Sequence, residues 1–127
     1  MIFKNGENSA ILPIPLAENK KRKRGYNQAE ALAEILAGYF HAPLLTDALV
    51  KIKKTPSQVG LSLQQRNENV RGVFAIKKSY AIADKKIFLV DDVFTTGSTM
   101  EEAARVLKAA GAKNVWGIAV AREPLNQ

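Results

Sequence analysis

The sequence predicts an α/β domain in which a mainly parallel central sheet is flanked by helices. Three observations lead to this fold class. Short apolar runs alternate with segments of helical periodicity, the clearest run (Ile87–Val90) has no polar face, and 127 residues suit one domain. Strands without a polar face are typical of sheets covered on both sides, and strands that alternate with helices favour parallel pairing through right-handed crossovers.

The first half of the chain predicts a strand, a loop and a helix. Ala10–Ile14 is entirely apolar. A helix begins at Asn27, which resembles an N-cap paired with Glu30 three residues later. The apolar face of this helix contains Ala29, Leu32, Ala33, Leu36 and Phe40. A weaker strand candidate spans Leu44–Ile52, and the polar stretch that follows it, up to Asn69, predicts a long functional or mobile loop.

The second half predicts two strands, a helix and a final strand. The strands are Val73–Ile76, Ile87–Val90 and Val115–Ala121. The helix Thr99–Ala110 lies between the last two strands and stops at Gly111. Its inward residues are Met100, Ala103, Leu107 and Ala110.

The composition favours anionic partners and excludes several kinds of site. The chain has 19 Lys and Arg against 12 Asp and Glu, a formal net charge of +7. This charge suits phosphates, nucleotides, nucleic acid or an acidic membrane surface. The lack of Cys excludes disulfides, Cys-based metal sites and a thiol nucleophile, and one His argues against a His-rich site. Any metal is therefore expected to be a hard ion held by oxygen.

The hydropathy pattern predicts no membrane insertion. No apolar run approaches the length of about 20 residues that spans a bilayer. The segment Ala10–Ala17 contains two prolines and lacks the layout of a signal peptide. We therefore expect a soluble, cytoplasmic protein.

The residues after Ile87–Val90 carry the strongest functional signal. Asp91 and Asp92 place two carboxylates at a strand end, where they accept hydrogen bonds from hydroxyls or bind Mg²⁺ through water. Thr95–Thr99 then supplies hydroxyls and the amides of a helix N-terminus, which together suit a phosphate. Gly97 lets the chain turn closely around the anion. A sugar phosphate, with a diol at one end and a phosphate at the other, matches this order.

Structural interpretations of the same residues are also open. Thr99 with Glu102, or Ser98 with Glu101, forms a capping box, and an Asp pair at a strand end is common in solvated turns. The phosphate loop of mononucleotide kinases and the Gly-x-Gly-x-x-Gly fingerprint are both absent, which argues against ATP and dinucleotide sites.

The segment Ile87–Thr99 resembles the phosphoribosyl-pyrophosphate (PRPP) binding signature of type I phosphoribosyltransferases. Within that group, the chain resembles the ComF competence-protein family. The residues that carry this second resemblance are Pro13–Leu16, Arg22, Arg24–Gln28, Thr55–Gln58, Arg66, Asn69 and Gly72–Phe74. The similarity extends from about Ala10 to Arg122 and implies a type I phosphoribosyltransferase-like fold.

The resemblance implies a role for each part of the site. Asp91 and Asp92 would bind the ribose 2′ and 3′ hydroxyls and would hold Mg²⁺ indirectly, through water and those hydroxyls. The residues expected at the 5′-phosphate are Thr95, Thr96, Gly97, Ser98 and Thr99. The residues expected at the pyrophosphate are Leu16, Ala17, Lys20 and Arg22. Those in what resembles the mobile loop are Lys53, Lys54, Gln58 and Arg66, of which Lys53 and Arg66 are expected to be catalytic together with the two acids.

The implied function is PRPP binding with Mg²⁺ and transfer of the phosphoribosyl group to an unknown acceptor, in a DNA-uptake context. The alternative is a non-catalytic component of the competence machinery that senses PRPP or handles single-stranded DNA, with a helicase partner. The oligomeric state is open, and a dimer is one alternative. Family members commonly carry a cysteine-rich zinc module, so this chain is expected to be a naturally short member or a fragment.

Several local expectations accompany this interpretation. Residues 1–9 are expected to form a poorly ordered leader before a single domain, with no zinc module and no material for the hood that selects the acceptor. The basic run Lys20–Arg24 has three open interpretations, namely a solvated loop, a pyrophosphate site and a contact to single-stranded DNA. Tyr26 is expected to pack under the helix start, and Trp116, in mid-strand, to lie in the core.

Overall fold

The computed structural model describes residues 8–16, 27–52, 62–94 and 97–122. Strands and helices alternate over much of this length. The strands are β1 (Ser9–Pro13), β2 (Leu49–Lys51), β3 (Phe74–Ile76), β4 (Lys86–Phe94) and β5 (Asn114–Arg122). The helices are α1 (Gln28–Phe40), α2 (Leu63–Val70) and α3 (Ser98–Ala109), with a short 3₁₀ turn at Ser79–Ala81.

The central sheet is parallel, with β4 between β1 and β5. The pairs Ala10 with Ile87 and Ile87 with Val115 set its register. β2 and β3 form a separate antiparallel pair, and a parallel bridge between Ile11 and Leu44 connects the intervening chain to β1. The predicted α/β class with a mainly parallel sheet is confirmed. The strand predicted at Leu44–Ile52 is wrong in its extent, since it divides into this bridge and β2.

Apolar side chains of β4 alternate between two cores because successive strand residues face opposite sides of a sheet. Ile87 and Leu89 pack with Ala103 and Leu107 of α3. Phe88 and Val90 pack on the other side with Ile11 of β1 and with Ala33 and Ala37 of α1. All of these side chains are buried, so the sheet is covered on both sides, as the apolar run predicts.

Helix α1 begins and ends where the sequence predicts. The side chain of Asn27 accepts hydrogen bonds from the amides of Ala29 and Glu30, which satisfies two of the first amides of the helix. Its Nδ2 donates to the carbonyl oxygen of Ile14 at 3.1 Å, so the same residue ties the start of α1 to the end of β1. At the other end His41 has φ 55°, a left-handed cap that stops the helix.

Helix α2 lies within the stretch predicted to be loop. Ser62 accepts from the amide of Gln65, and the Gln65 side chain accepts from the amide of Ser62, which is a complete capping box. Val70 is the one buried residue among the described side chains of this helix. The loop prediction is wrong here because a helix that is polar nearly all round gives no apolar periodicity to detect.

Two further expectations are corrected. Ser9 belongs to β1 and is buried, so the predicted leader cannot include it, and residues 1–7 lie outside the described residues. Trp116 is 44% exposed rather than core, although its ring stacks on that of Phe88 with centroids 5.0 Å apart. Within the described part of the chain, β5 pairs with β4 alone, which explains the exposure. No helix in the described ranges has the length and apolar character needed to cross a bilayer.

Candidate functional site

The two acids lie where β4 extends past its neighbour β1. Pro13 pairs with Val90 at the end of β1, and the amide of Ile14 donates to the carbonyl oxygen of Val90 at 2.8 Å. β5 continues beside β4, with Asp91 opposite Ala119. The prediction that Asp91 and Asp92 follow the strand is wrong in detail, because pairing with β5 keeps both residues within β4.

Both acids are half-buried, so their side chains reach the surface at this edge of the sheet. The register between β4 and β5 stays constant through Asp91, and consecutive residues in a strand point to opposite faces. The pair therefore presents one carboxylate to each side of β4. Because parallel strands end at a common edge, a ligand bound there lies between the layer of α1 and the layer of α3.

Helix α3 begins without a side-chain cap. Gly97 is the N-cap residue, with φ 86°, a left-handed conformation that favours glycine. Ser98 and Thr99 lie inside the helix, and among the described residues no side chain caps it, so the capping boxes expected from Thr99 with Glu102 and from Ser98 with Glu101 are wrong. Ser98 is buried, and its Oγ donates instead to Oδ1 of Asn67 in α2 at 2.6 Å. Gly97 therefore gives α3 no cap of the kind that Asn27 gives α1.

Glu102 forms the second contact between α3 and the region of α2. Its Oε2 accepts from the amide of Gly72 at 3.0 Å, and Arg105 donates to both of its oxygens, at 2.9 and 2.7 Å. The side chain is only 8% exposed. The hydrogen bond from Arg105 lowers the pKa of Glu102, burial opposes this by raising it, and the Gly72 amide contributes further lowering.

From the sequence alone, Asn67 is not identified, and Glu102 appears only as half of a capping box. Asn67 lies in a helix that has no apolar stripe, so the sequence offers no signal for it. Glu102 stands next to Ala103 on the inward side of α3, three residues before Arg105. An acid so close to an apolar stripe is the signal that points to a buried carboxylate with a cationic partner.

Of the other predicted site residues, only Leu16 and Arg66 fall within the described ranges. Arg66 lies in α2, but its side chain is outside the description. Leu16 is half-buried and borders a cavity of about 160 Å³ at the end of β1, which Asn27 and Lys51 also line. The predicted residues outside the described ranges are Ala17, Lys20, Arg22, Lys53, Lys54, Gln58, Thr95 and Thr96. The basic run Lys20–Arg24 and Tyr26 lie outside them as well.

The described residues contain no group of three or more His, Asp or Glu that could hold a metal by protein ligands alone. From the predicted set, the structure describes Asp91 and Asp92 on β4, together with Gly97, Ser98 and Thr99 at the start of α3, the helix that follows β4 in the chain. Carboxylates and helix amides at one edge of a sheet suit a ligand that carries both hydroxyl and phosphate groups.

Comparison with known proteins identifies the family. The family model described as "Phosphoribosyl transferase domain" matches residues 10–124. The chain belongs to this family. The domain is also similar to Competence protein F of Haemophilus influenzae, with 37% identity over 113 residues that are 87% of this chain and 49% of the relative. It is 34% identical over 112 residues to Competence protein ComFC of Streptococcus pneumoniae, over 86% of this chain and 46% of that protein.

A third relative is DNA utilization protein YhgH of Escherichia coli strain K12, 32% identical over 108 residues, or 84% of this domain and 47% of the relative. These relatives confirm the predicted membership of the ComF family. The chain spans about half the length of the curated relatives it matches.

Solved structures support the fold. A hypoxanthine phosphoribosyltransferase from Staphylococcus aureus superposes with a TM-score of 0.58 at 14% identity, over 94% of this domain and 55% of that chain. Adenine phosphoribosyltransferase from Saccharomyces cerevisiae gives a TM-score of 0.58 at 16% identity, over 92% of this domain and 57% of that chain. The predicted type I phosphoribosyltransferase fold is confirmed.

Proposed function

We propose that this domain binds PRPP with Mg²⁺ at the carboxyl end of β4 and transfers the phosphoribosyl group to an acceptor, with release of pyrophosphate. One observation carries the proposal. In a chain of the phosphoribosyl transferase family, the half-buried pair Asp91 and Asp92 lies beyond the end of β1, and the next helix begins without a side-chain cap. This arrangement offers acceptors for a diol and donors for a phosphate in the order in which PRPP presents them.

The two acids suit the ribose of PRPP. An ionised carboxylate only accepts hydrogen bonds, so each acid accepts one from a sugar hydroxyl. Charge-assisted hydrogen bonds of this kind contribute about 1.5–3 kcal/mol each. Because Asp91 and Asp92 point to opposite sides of β4, they hold the 2′ and 3′ oxygens from two directions and thereby fix the sugar ring.

The first turn of α3 suits the 5′-phosphate. The initial amides of a helix have no acceptor within their own helix, and the helix dipole adds partial positive charge there. At Gly97 a side chain would crowd the approach of an anion to the backbone, and glycine removes that obstacle. The phosphate is therefore bound by backbone donors, and Thr99 adds a hydroxyl.

The donor set also suits Mg²⁺. This ion is bound in proteins by one or two carboxylates together with water and substrate oxygens, and the described residues offer two adjacent carboxylates without a third ligand. When bound, Mg²⁺ would neutralise charge on the departing pyrophosphate. Asp91 and Asp92 are the residues that would hold it, through water and the ribose hydroxyls.

The transfer itself requires one bond to break and one to form. The bond between C1 of the ribose and the pyrophosphate oxygen breaks with both electrons leaving on the oxygen, and a lone pair of the acceptor forms the new bond to C1. Negative charge grows on the leaving group as this happens, so cationic donors at the pyrophosphate lower the barrier. Lys20, Arg22, Lys53 and Arg66 are the residues proposed for this role.

Calorimetric titration with PRPP and Mg²⁺ tests binding, and a coupled assay for pyrophosphate tests transfer. The expected result is saturable binding of PRPP and release of pyrophosphate when candidate acceptors such as bases or ammonia are added. Binding without release would favour a PRPP sensor, and no binding would reject the proposal. A cytoplasmic location, where PRPP would be encountered as a soluble ligand, belongs to the same proposal.

The alternative is a non-catalytic role in handling single-stranded DNA beside a helicase. The net charge of +7 and the similarity to proteins named for competence and DNA utilization favour it. If the basic run Lys20–Arg24 follows a DNA backbone, neutralising any one of its residues lowers the salt slope of binding by about 0.7. If it serves pyrophosphate instead, Lys20 and Arg22 matter for PRPP affinity and the other three residues do not.

A further inference from the structure

Two polar contacts hold the beginning of α3 against α2. Ser98 Oγ donates to Asn67 Oδ1 at 2.6 Å, and the amide of Gly72 donates to Glu102 Oε2 at 3.0 Å. Ser98 and Glu102 are both buried, whereas Asn67 is exposed. The contacts lie one turn apart on α3, so together they fix both the position and the rotation of its first turn.

Among the described residues, one buried side chain anchors α2 to the core. An isolated helix of eight residues is not stable in water, so its stability comes from tertiary contacts. Val70 supplies the buried apolar contact among its described side chains, next to the core residues Val73 and Phe74. The hydrogen bond from Ser98 joins α3 to α2 itself, and the one from the Gly72 amide to Glu102 joins α3 to the chain just after α2.

Because the Ser98 hydroxyl donates its hydrogen bond to Asn67, it cannot donate the same hydrogen bond to a ligand. A hydroxyl has a single proton, and that of Ser98 points to Asn67. A phosphate at the start of α3 would therefore receive backbone amides from this turn and not the Ser98 hydroxyl proton. The side chain of Ser98 orients the turn, and Asn67 determines that orientation.

We propose that Asn67 is a positioning residue for the phosphate site. By accepting the hydrogen bond from Ser98 Oγ, it holds the first turn of α3 in the orientation in which its amides face the 5′-phosphate. Asn67 does not itself contact the ligand. Glu102 supports the same arrangement by anchoring the next turn to Gly72. The inference rests on the proposed function and deepens it, since it names a residue on another helix that the phosphate site requires.

The test is a double-mutant cycle measured by calorimetry with ribose 5-phosphate and with PRPP plus Mg²⁺. Asn67→Ala and Ser98→Ala each remove the same hydrogen bond, so each is expected to weaken ribose 5-phosphate affinity by about tenfold. The double variant is expected to show no greater loss than Ser98→Ala alone, because Asn67 acts on the ligand only through the Ser98 hydroxyl. Ala is a better helix former than Asn, so Asn67→Ala is expected to fold.

Gln64→Ala is the matched control on the same helix. Gln64 is exposed and donates to Glu68 at 3.2 Å, so its loss is expected to leave affinity within about twofold. Asn67→Asp tests rescue because it keeps the acceptor oxygen. At high salt, where the added charge is screened, it is expected to recover most of the affinity that Asn67→Ala loses.

Three results would overturn the positioning role. The first is wild-type affinity in Asn67→Ala. The second is a loss of about a hundredfold in the double variant, which would mean that the Ser98 hydroxyl contacts the ligand on its own. The third is an Asn67→Asp variant whose ribose 5-phosphate affinity is no better than that of Asn67→Ala. If Ser98→Ala does not fold, this comparison of the two Asn67 variants decides the question on its own. If the wild-type domain binds ribose 5-phosphate but not PRPP, the proposed function is rejected and the positioning role of Asn67 stands. If it binds neither ligand, both proposals are rejected.

Discussion

The helices α1 and α3 both start near the carboxyl edge of the sheet, and their first turns differ. In α1 the side chain of Asn27 accepts from the amides of Ala29 and Glu30. In α3 the corresponding residue is Gly97, which offers no side chain, and Ser98 donates to another helix. A side-chain cap stabilises a helix by about 1 kcal/mol, and α3 goes without it. Under the proposed function, α1 uses its first amides for stability, whereas the first turn of α3 faces the phosphate.

The largest effect is expected from the acids beside the uncapped end. Replacing both, as Asp91→Asn with Asp92→Asn, removes two charge-assisted hydrogen bonds and is expected to weaken PRPP affinity by at least about a hundredfold. The domain is expected to stay folded, because both side chains are half-buried at a strand end and do not fill the core. Calorimetry with PRPP and Mg²⁺, together with thermal melts, checks both expectations.

Asp84→Asn is the control for the loss of charge. Asp84 is exposed, precedes β4 at the opposite end, and has φ 60°, which Asn tolerates. Unchanged PRPP affinity is expected. A double Asn variant of the two β4 acids that unfolds, or that binds as the wild type does, would contradict their assignment as ligand groups.

The next effect compares the two helix ends directly. Gly97→Ala places a side chain at φ 86°, which costs about 1–2 kcal/mol of stability, and it is expected to weaken ribose 5-phosphate affinity by at least about tenfold. Asn27→Ala removes a cap and is expected to cost about 1 kcal/mol while leaving that affinity within about twofold. Thermal melts measure the stability of both variants, and calorimetric titrations measure their affinity for ribose 5-phosphate. Equal losses of affinity in the two variants would contradict the proposed difference between the first turns of α1 and α3.

A smaller, pH-dependent effect is expected at Glu102. Its pKa in the folded domain is lowered from the ordinary value of 4.5, mainly by the Arg105 hydrogen bond. Its contribution to stability is therefore fully present above pH 4.5 and is lost as the pH falls through the lowered pKa. Urea denaturation at a series of acidic pH values is expected to show a shallower decline for Glu102→Gln than for the wild type.

Glu101→Gln provides the comparison for this measurement, since Glu101 is the exposed neighbour in the first turn of the same helix. It removes the same charge without a buried partner, and its acid-induced loss of stability is expected to follow that of the wild type. Parallel curves for the wild type and Glu102→Gln would show that the Glu102 carboxylate has no part in holding α3.

The smallest effect is expected from Thr99→Ala. The residue is half-buried in the first turn of α3 and does not cap it, so stability is expected to change by less than about 0.5 kcal/mol. Loss of one hydroxyl donor is expected to weaken ribose 5-phosphate affinity by about threefold. A loss of stability equal to that of Asn27→Ala would indicate that Thr99 caps α3, and would contradict the difference between the two helix starts.

What the sequence predicts correctly has a local physical cause. The apolar run Ile87–Val90 has to be buried on both faces, so a central parallel strand follows from it. The cap at Asn27 depends on bonds to residues two and three positions away, which a pattern can capture. The acid pair and the loop after it are also contiguous, so the sequence suggests a ligand site from one segment.

What the sequence misses depends on distant contacts. The hydrogen bond between Ser98 and Asn67 joins residues 31 positions apart, and no periodicity encodes it. Trp116 is apolar and in mid-strand, but its exposure is set by which strand lies at the edge of the sheet. The extension of β4 through Asp91 and Asp92 likewise depends on how far β5 continues beside it.

The contacts between α2 and α3 also bear on the order in which the domain folds. The partners of Asn67 and Gly72 lie 31 and 30 residues further along the chain. A helix of eight residues does not persist alone, so α2 gains its full stability only after the chain beyond β4 has emerged and formed α3. The same dependence makes α2 an early site of local opening in the folded domain. Its amides are therefore expected to exchange with solvent deuterium sooner than those of α1.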